Sequence, residues 1–133
     1  MLRYILVSIG SGILFGVLDA VINANPLAQK VLGYLKPIAR TQVNAIGGTI
    51  IDLIYGFAMA GIFILLYKSL PGANGILKGI SFGVMAWFFR VIMYVATQWV
   101  TTTAPVSALI YITLTGLAEM LILGIFYGLL LKA

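Results

Sequence analysis

The chain has 133 residues, of which 62% are hydrophobic and 8% are charged, and its formal net charge is +5. Soluble domains carry roughly a quarter charged residues, so this composition leaves too little polar surface for a water-soluble fold and predicts an integral membrane protein. The sequence has no cysteine and no histidine, so we expect no disulfide, no thiolate or imidazole metal site, no haem and no other cofactor.

Four apolar segments are long enough to cross a bilayer as helices, which takes about 20 residues each. We predict these membrane spans at residues 4–23, 45–67, 80–100 and 106–131. The first span follows Arg3 as a signal peptide would, but it is long and lacks a small-residue cleavage site, so we expect it to be retained. The connections are short, and we therefore expect one all-α domain over residues 1–133.

The segment between the first two spans predicts a short interfacial helix over residues 26–36. Asn25 is a suitable N-cap, Pro26 suits the first helical position, and Pro37 ends the pattern. Apolar residues recur there at helical spacing opposite polar ones, as in amphipathic helices that lie on a membrane; an ordinary polar loop is the alternative. Contacts with anionic lipid are predicted for three basic residues of this region: Lys30, Lys36 and Arg40.

Basic residues also indicate how the chain is oriented in the membrane. With four spans, one side carries both termini and Arg3, Lys68, Lys78 and Lys132, whereas the other side carries Lys30, Lys36 and Arg40. This slight excess favours cytoplasmic termini and a multi-pass protein of the cell (inner) membrane. The basic residues stand at the ends of apolar segments rather than on one polar face, so we expect no nucleic-acid partner.

Two sequence similarities suggest an internal duplication. Gly12–Leu18 in the first span resembles Gly79–Met85 in the third. Gly61–Phe63 in the second span resembles Gly124–Phe126 in the fourth, at a similar offset. This pattern predicts two tandem helical hairpins of the same orientation. Chance similarity between apolar segments is the alternative, and the charged residues do not repeat.

Each predicted span contains one charged residue, and in chain order these are Asp19, Asp52, Arg90 and Glu119. A charge at the middle of a membrane helix costs about 2.5–3.5 kcal/mol on insertion scales, so such residues tend to face partners or water. In the first three spans the charge shares a helix face with small residues, through which membrane helices pack. We therefore expect the four charges to face the interior of the bundle and to line one cavity. Further residues expected to line it are Asn23, Tyr55, Tyr94 and Thr115.

The fourth span presents its glycines on a different face from its charge. Gly124 and Gly128 lie about 140° and 180° around the helix from Glu119, at 3.6 residues per turn. If Glu119 faces inward, these glycines face outward, and we predict them as a homodimer contact. A lipid-facing or merely flexible glycine pair is the alternative.

The balance of intramembrane charges restricts the function. Arg90 stays ionised and can balance one carboxylate, for which Glu119 at similar depth is the best-placed partner. The other acids are then protonated, solvated at the membrane edge, or neutralised by a bound cation. We therefore predict a transporter or channel for a cation or a proton-coupled small solute.

Two other classes of function stay open at this point. The first is a non-catalytic structural or accessory subunit of a membrane complex, in which the polar residues only hold helices together. The second, a membrane enzyme that acts on lipid, is a minor alternative, because the acids stand on separate helices and the chain has no histidine. We expect no enzymatic activity.

Overall fold

The computed structural model describes residues 2–31, 33 and 45–131, and these residues contain six α-helices and no β-strand. In chain order the helices are α1 (Leu2–Ala24), α2 (Pro26–Val31), α3 (Ala45–Leu66), α4 (Gly75–Trp87), α5 (Met93–Thr101) and α6 (Val106–Leu130). A π-helical turn, Phe88–Ile92, joins α4 to α5, so that the two form one long span. In this part of the chain four spans have the length and composition to cross a membrane, which confirms the predicted all-α membrane fold.

The third span begins five residues earlier than predicted, at Gly75. The Asn74 side chain caps it by accepting a backbone N–H of the first turn at 2.9 Å. Lys78 lies inside this first turn, but its ammonium group donates to the carbonyls of Tyr67 and Leu70 at 2.7 and 2.9 Å. These carbonyls belong to the turn that ends the second span. The lysine therefore stabilises the end of one span while it lies within the next.

The four spans pack as two antiparallel hairpins. The first hairpin pairs α1 with α3, the second pairs the third span with α6, and contacts between α1 and α6 join them. Large buried side chains fill the interior, chiefly Phe15, Phe63, Phe82, Met120, Leu123 and Tyr127. Lipid tails are as apolar as these side chains, so complementary packing, rather than exclusion from water, holds the hairpins together.

Each hairpin has a point at which the two backbones touch through glycine. In the first, an added Cβ on Gly56 would lie 2.5 Å from the Ser8 carbonyl oxygen and 2.8 Å from the Gly12 nitrogen. In the second, Gly79 and Gly124 face each other, and an added Cβ on either would collide with the other's carbonyl oxygen. The small residues predicted to pack the helices therefore do so within each hairpin.

The face of Gly124 and Gly128, which the sequence assigns to a homodimer contact, is occupied inside the chain. Both glycines are buried, and Gly128 packs against the backbone of Gly75. The predicted homodimer contact requires α6 to have one inward face, whereas α6 lies between α1 and the third span and is covered on two sides. These two glycines are therefore intramolecular packing residues.

The packing contacts relate the two hairpins in a register that differs from the sequence similarity. In the first hairpin, Gly56 faces the nitrogen of Gly12 and the carbonyl oxygen of Ser8, four residues earlier. In the second hairpin, Gly124 faces the nitrogen of Gly83 and the carbonyl oxygen of Gly79, again four residues earlier. The contacts therefore equate Gly12 with Gly83, whereas the sequence similarity aligns Gly12 with Gly79, one helical turn earlier. The similarity of the segments does not follow their packing, and the internal duplication stays a prediction.

The segment after the first span forms the short helix α2, over Pro26–Val31. Asn25 caps it by accepting a backbone N–H at 2.8 Å, and α2 contacts both α1 and α6. Residues 34–44 lie outside the described residues, so the predicted continuation of the helix to residue 36 stays a prediction. The same holds for two of the predicted lipid contacts, Lys36 and Arg40, whereas Lys30 is described and exposed.

Candidate functional site

Arg90 and Glu119 form an ion pair between the third and fourth spans. Nη1 of Arg90 lies 3.0 Å from Oε1 of Glu119, and Glu119 is only 2% exposed. This contact confirms the prediction that Glu119 is the partner of Arg90. Charge-assisted hydrogen bonds of this kind are the stronger ones in proteins, and a partner left alone would be an uncompensated charge in an apolar environment.

The backbone around Arg90 departs from regular α-helix. Phe88–Ile92 is a π-helical turn, which inserts an extra residue into the helix and is often found at functional sites. The facing helix has Gly116 at this level, where an added Cβ would lie 2.7 Å from the side chain of Val91. The missing side chain lets the π-turn approach α6 about one turn from Glu119. The π-helical turn was not predicted from the sequence.

Two aromatic rings of the first hairpin contact the Arg90 guanidinium. Its central carbon lies 4.9 Å from the ring centroid of Phe15 in α1 and 5.1 Å from that of Tyr55 in α3. Cation–π contacts contribute about 0.5–2 kcal/mol, with the larger values for desolvated pairs. Arg90 therefore contacts α1, α3 and α6 at once and connects the two hairpins.

Asp19 brings a second carboxyl group to the ion pair. It lies on α1, lines the same cavity as Glu119 and interacts with it electrostatically. Two carboxylates in one cavity repel each other, and a proton or a cation held between them removes the repulsion. With both acids ionised, the group formed by Asp19, Arg90 and Glu119 carries a charge of −1, so it is balanced by one proton or one monovalent cation.

These three side chains line a cavity of about 330 Å³ between α1, the third span and α6. Three of the residues predicted to line a cavity are found there: Asn23, Tyr94 and Thr115. The predicted Tyr55 is not among them. It packs beneath the Arg90 guanidinium and lines an apolar crevice between α3 and α4.

Asp52 does not join the other three charges in this cavity. It is half-buried in a separate groove between α1 and α3, which it lines together with Gly12 and Gly16. An added Cβ on Gly16 would lie 3.0 Å from Oδ2 of Asp52, so Asp52 packs directly against the surface of α1. Its carboxyl group interacts electrostatically with Asp19 and Arg90. The expectation of one cavity lined by four charges is therefore wrong, because α1 presents different faces to Asp52 and to Glu119.

Tyr111 closes one end of the cavity and was not among the predicted lining residues. Its hydroxyl donates to the Ile22 carbonyl and accepts a hydrogen bond from Nδ2 of Asn25 at 2.8 Å. Tyr111 therefore joins α6 to the end of α1 and the start of α2. A signal for its role was present in the sequence, because Tyr111 lies eight residues before Glu119 and shares its helix face.

The groups in this site can exchange protons and can bind cations or polar solutes. Besides the two carboxyl groups, its lining offers hydroxyl and amide oxygens from Asn23, Tyr94, Tyr111 and Thr115. Among the described residues, no three acidic side chains come together as metal ligands. A comparison with protein-family models, with curated proteins and with solved structures finds no match to this chain.

Proposed function

We propose that the protein is a small transporter or channel for a cation or a proton-coupled small solute. The observation that carries this proposal is the meeting of two carboxyl groups, Asp19 and Glu119, with a single guanidinium in one membrane-level cavity. An ion pair that only held helices together would need one acid. The second acid gives the cavity a place for a proton or a cation that can be exchanged.

The proposed exchange uses only these groups. With one proton shared between Asp19 and Glu119, the cluster is neutral and Arg90 keeps its partner. A cation that enters the cavity displaces this proton from the two carboxyl groups. Hydroxyl and amide oxygens of the lining replace part of the cation's hydration shell. The cluster is neutral in both states, and intermediate charged states are costly in a low-dielectric environment.

The test is a measurement of cation-driven charge movement on purified protein in liposomes. Concentration jumps of Na⁺, K⁺ and tetramethylammonium would be recorded on a solid-supported membrane, together with proton release reported by an internal pH dye. We expect at least one of these cations to give a saturable current with proton release. Asp19→Asn and Glu119→Gln should abolish both signals.

Asp52→Asn is the matched control for these variants. It removes an acid from the same protein, but one that lies in the separate groove between α1 and α3. We expect it to keep the cation signals within about twofold of the wild type. Wild-type signals that persist unchanged in Glu119→Gln would sink the proposal. Thermal unfolding of each variant in detergent separates loss of binding from loss of the fold.

The second candidate function is an accessory subunit of a membrane complex. The Arg90 contacts favour it, because one side chain connects α1, α3 and α6 and so stabilises the arrangement of the two hairpins. In that case no cation gives a current in the wild type, and Asp19→Asn does not change the stability. A location in the cell membrane with cytoplasmic termini, and contact with anionic lipid, are part of either proposal.

A further inference from the structure

A second group of polar side chains is buried away from the cavity, and we call it the hydroxyl layer. It consists of Ser8 and Ser11 on α1 and Tyr127 on α6, each 0% exposed. The layer lies at the crossing of the first hairpin, since an added Cβ on Gly56 would be 2.9 Å from Oγ of Ser11. Three hydroxyl groups are therefore enclosed where three spans meet.

The hydrogen bonds of this layer are incomplete. Ser11 donates to the Ser8 carbonyl at 2.9 Å, and the Tyr127 hydroxyl donates to the Gly56 carbonyl over a long 3.4 Å. The hydroxyl of Ser8 has no hydrogen-bond partner in the described part of the chain. A buried hydroxyl without a partner is costly, and in native proteins such groups usually bind an internal water molecule.

The hydroxyl layer is in line with the acidic cavity. On α1, Ser11 is followed by Asp19 eight residues later; on the antiparallel α6, Glu119 is followed by Tyr127 eight residues later. Eight residues correspond to about 12 Å along a helix. The two polar groups are thus separated by the same distance on both helices.

Apolar side chains separate these two polar groups. Phe15 stands midway between Ser11 and Asp19 and is 2% exposed; Leu123 stands midway on α6 and is 1% exposed. One face of the α1 helix thus carries Tyr4, Ser8, Ser11, Phe15, Asp19 and Asn23 at spacings of three or four residues. We call this row of six side chains the file. Phe15 is its single apolar member, and the Phe15 ring lies beneath the Arg90 guanidinium.

We propose that the hydroxyl layer binds water and forms one half of a proton pathway along α1. The acidic cavity forms the other half, and Phe15 is the barrier between the two halves. This inference rests on the proposed function and adds to it the route by which the displaced proton reaches the other side. Ser8, Ser11 and Tyr127 supply three hydroxyl partners, and a buried water takes two to four. Tyr4, half-buried one turn before Ser8, continues the file toward the N-terminus of α1.

The relay conserves protons at every step. An excess proton forms an O–H bond to the water, the water passes one of its protons to a hydroxyl oxygen, and that hydroxyl releases its own proton onward. Each O–H bond that breaks on one oxygen is replaced on the next, and no side chain changes its final charge. The apolar Phe15 and Leu123 interrupt this sequence until water enters between the two layers.

The test is the passive proton conductance of liposomes that contain the purified protein. A K⁺ diffusion potential set by valinomycin drives protons inward, and an internal pH dye reports their arrival without any transported substrate. We expect Phe15→Ala to raise the proton influx at least tenfold over the wild type. Adding Ser8→Ala and Tyr127→Phe to Phe15→Ala should return the influx to within about twofold of the wild-type level.

Phe63→Ala is the matched control, because Phe63 is an equally buried phenylalanine of the same core but lies on α3, outside the file. We expect it to leave the influx unchanged. Equal leaks in Phe15→Ala and Phe63→Ala, or a Phe15→Ala leak that survives loss of the hydroxyls, would overturn the proposal. The leak assay needs no cation site, so it tests the pathway separately from the proposed function. If no cation gives a current but the Phe15→Ala leak depends on the hydroxyls, the proposed function is refuted and the pathway is not.

Thermal unfolding of Ser8→Ala provides an independent measurement if Phe15→Ala does not fold. If the Ser8 hydroxyl binds water, the substitution removes a satisfied group and lowers the melting temperature. If the Ser8 hydroxyl instead has no partner at all, Ser8→Ala should be more stable than the wild type. A rise in melting temperature would therefore overturn the proposed water site.

Discussion

Asp19 and Arg90 occupy equivalent positions in the two hairpins, although one is an acid and the other a base. Each lies seven residues, or about two helical turns, after the glycine that faces the neighbouring backbone, which is Gly12 for Asp19 and Gly83 for Arg90. Both side chains point to the same region, where Glu119 interacts with both of them. The two hairpins therefore deliver opposite charges to one buried carboxyl group.

This arrangement makes Glu119 the centre of the site. A change at Asp19 alters how a proton or cation is shared with Glu119, whereas a change at Arg90 removes the cation that allows Glu119 to be buried. The two substitutions should therefore have different effects, one on exchange and the other on stability.

Replacing Arg90 is expected to destabilise the protein strongly. Arg90→Gln leaves Glu119 buried without its cation and removes the contacts with Phe15 and Tyr55. Removing one partner of a fully buried ion pair costs about 3–5 kcal/mol. The Arg90 side chain is 37% exposed, whereas that of Glu119 is only 3% exposed, so we expect a loss toward the lower end of this range and a clearly lower unfolding temperature in detergent. In the double variant with Glu119→Gln most of this loss should be recovered. A double variant no more stable than Arg90→Gln alone would contradict the idea that the unpaired carboxylate causes the loss.

Adding a methyl group at Gly124 is expected to separate the third span from α6. Its Cβ would collide with the Gly79 carbonyl oxygen, whereas the same change at Gly48 meets nothing within 4 Å. Overpacking of this kind costs about 1–3 kcal/mol, so Gly124→Ala should unfold at a lower temperature than Gly48→Ala. The loss should be independent of protein concentration, because the contact is intramolecular. A concentration-dependent loss would instead place Gly124 at a contact between two copies.

The sequence predicted the spans and one ion pair because both follow from local rules. Apolar length determines the spans, and an arginine in the middle of a span needs a carboxylate at its own depth, which Glu119 provides for Arg90. The position of Asp52 could not be predicted in this way, since its helix face is correct but the rotation of α3 against α1 places it in another groove. The same holds for Gly124, whose environment depends on α6 being covered on two sides.

Lys78 is expected to stabilise the turn between the second and third spans. Its ammonium group donates to two carbonyls that end the second span, so Lys78→Met leaves these acceptors without a charged donor. Interactions of this type at helix C-termini contribute about 0.3–1 kcal/mol, and we expect a small fall in unfolding temperature. Lys68→Met is the control, because Lys68 is exposed on the same turn. Equal effects of the two substitutions would mean that the lysines act only through the charge of the membrane flank.

Tyr111 is expected to limit access to the cavity from the end of α1. Tyr111→Phe removes the hydroxyl that donates to the Ile22 carbonyl and accepts from Asn25, so α1 and α6 should separate more readily at this end. The chain has no cysteine, so a single Thr115→Cys reports access to the cavity through its reaction with a charged, water-soluble thiol reagent. We expect labelling at least fivefold faster in the Tyr111→Phe background. Thr103→Cys, exposed in the turn before α6, should label at the same rate in both backgrounds, and an unchanged rate at Thr115→Cys would show that the hydroxyl does not control entry.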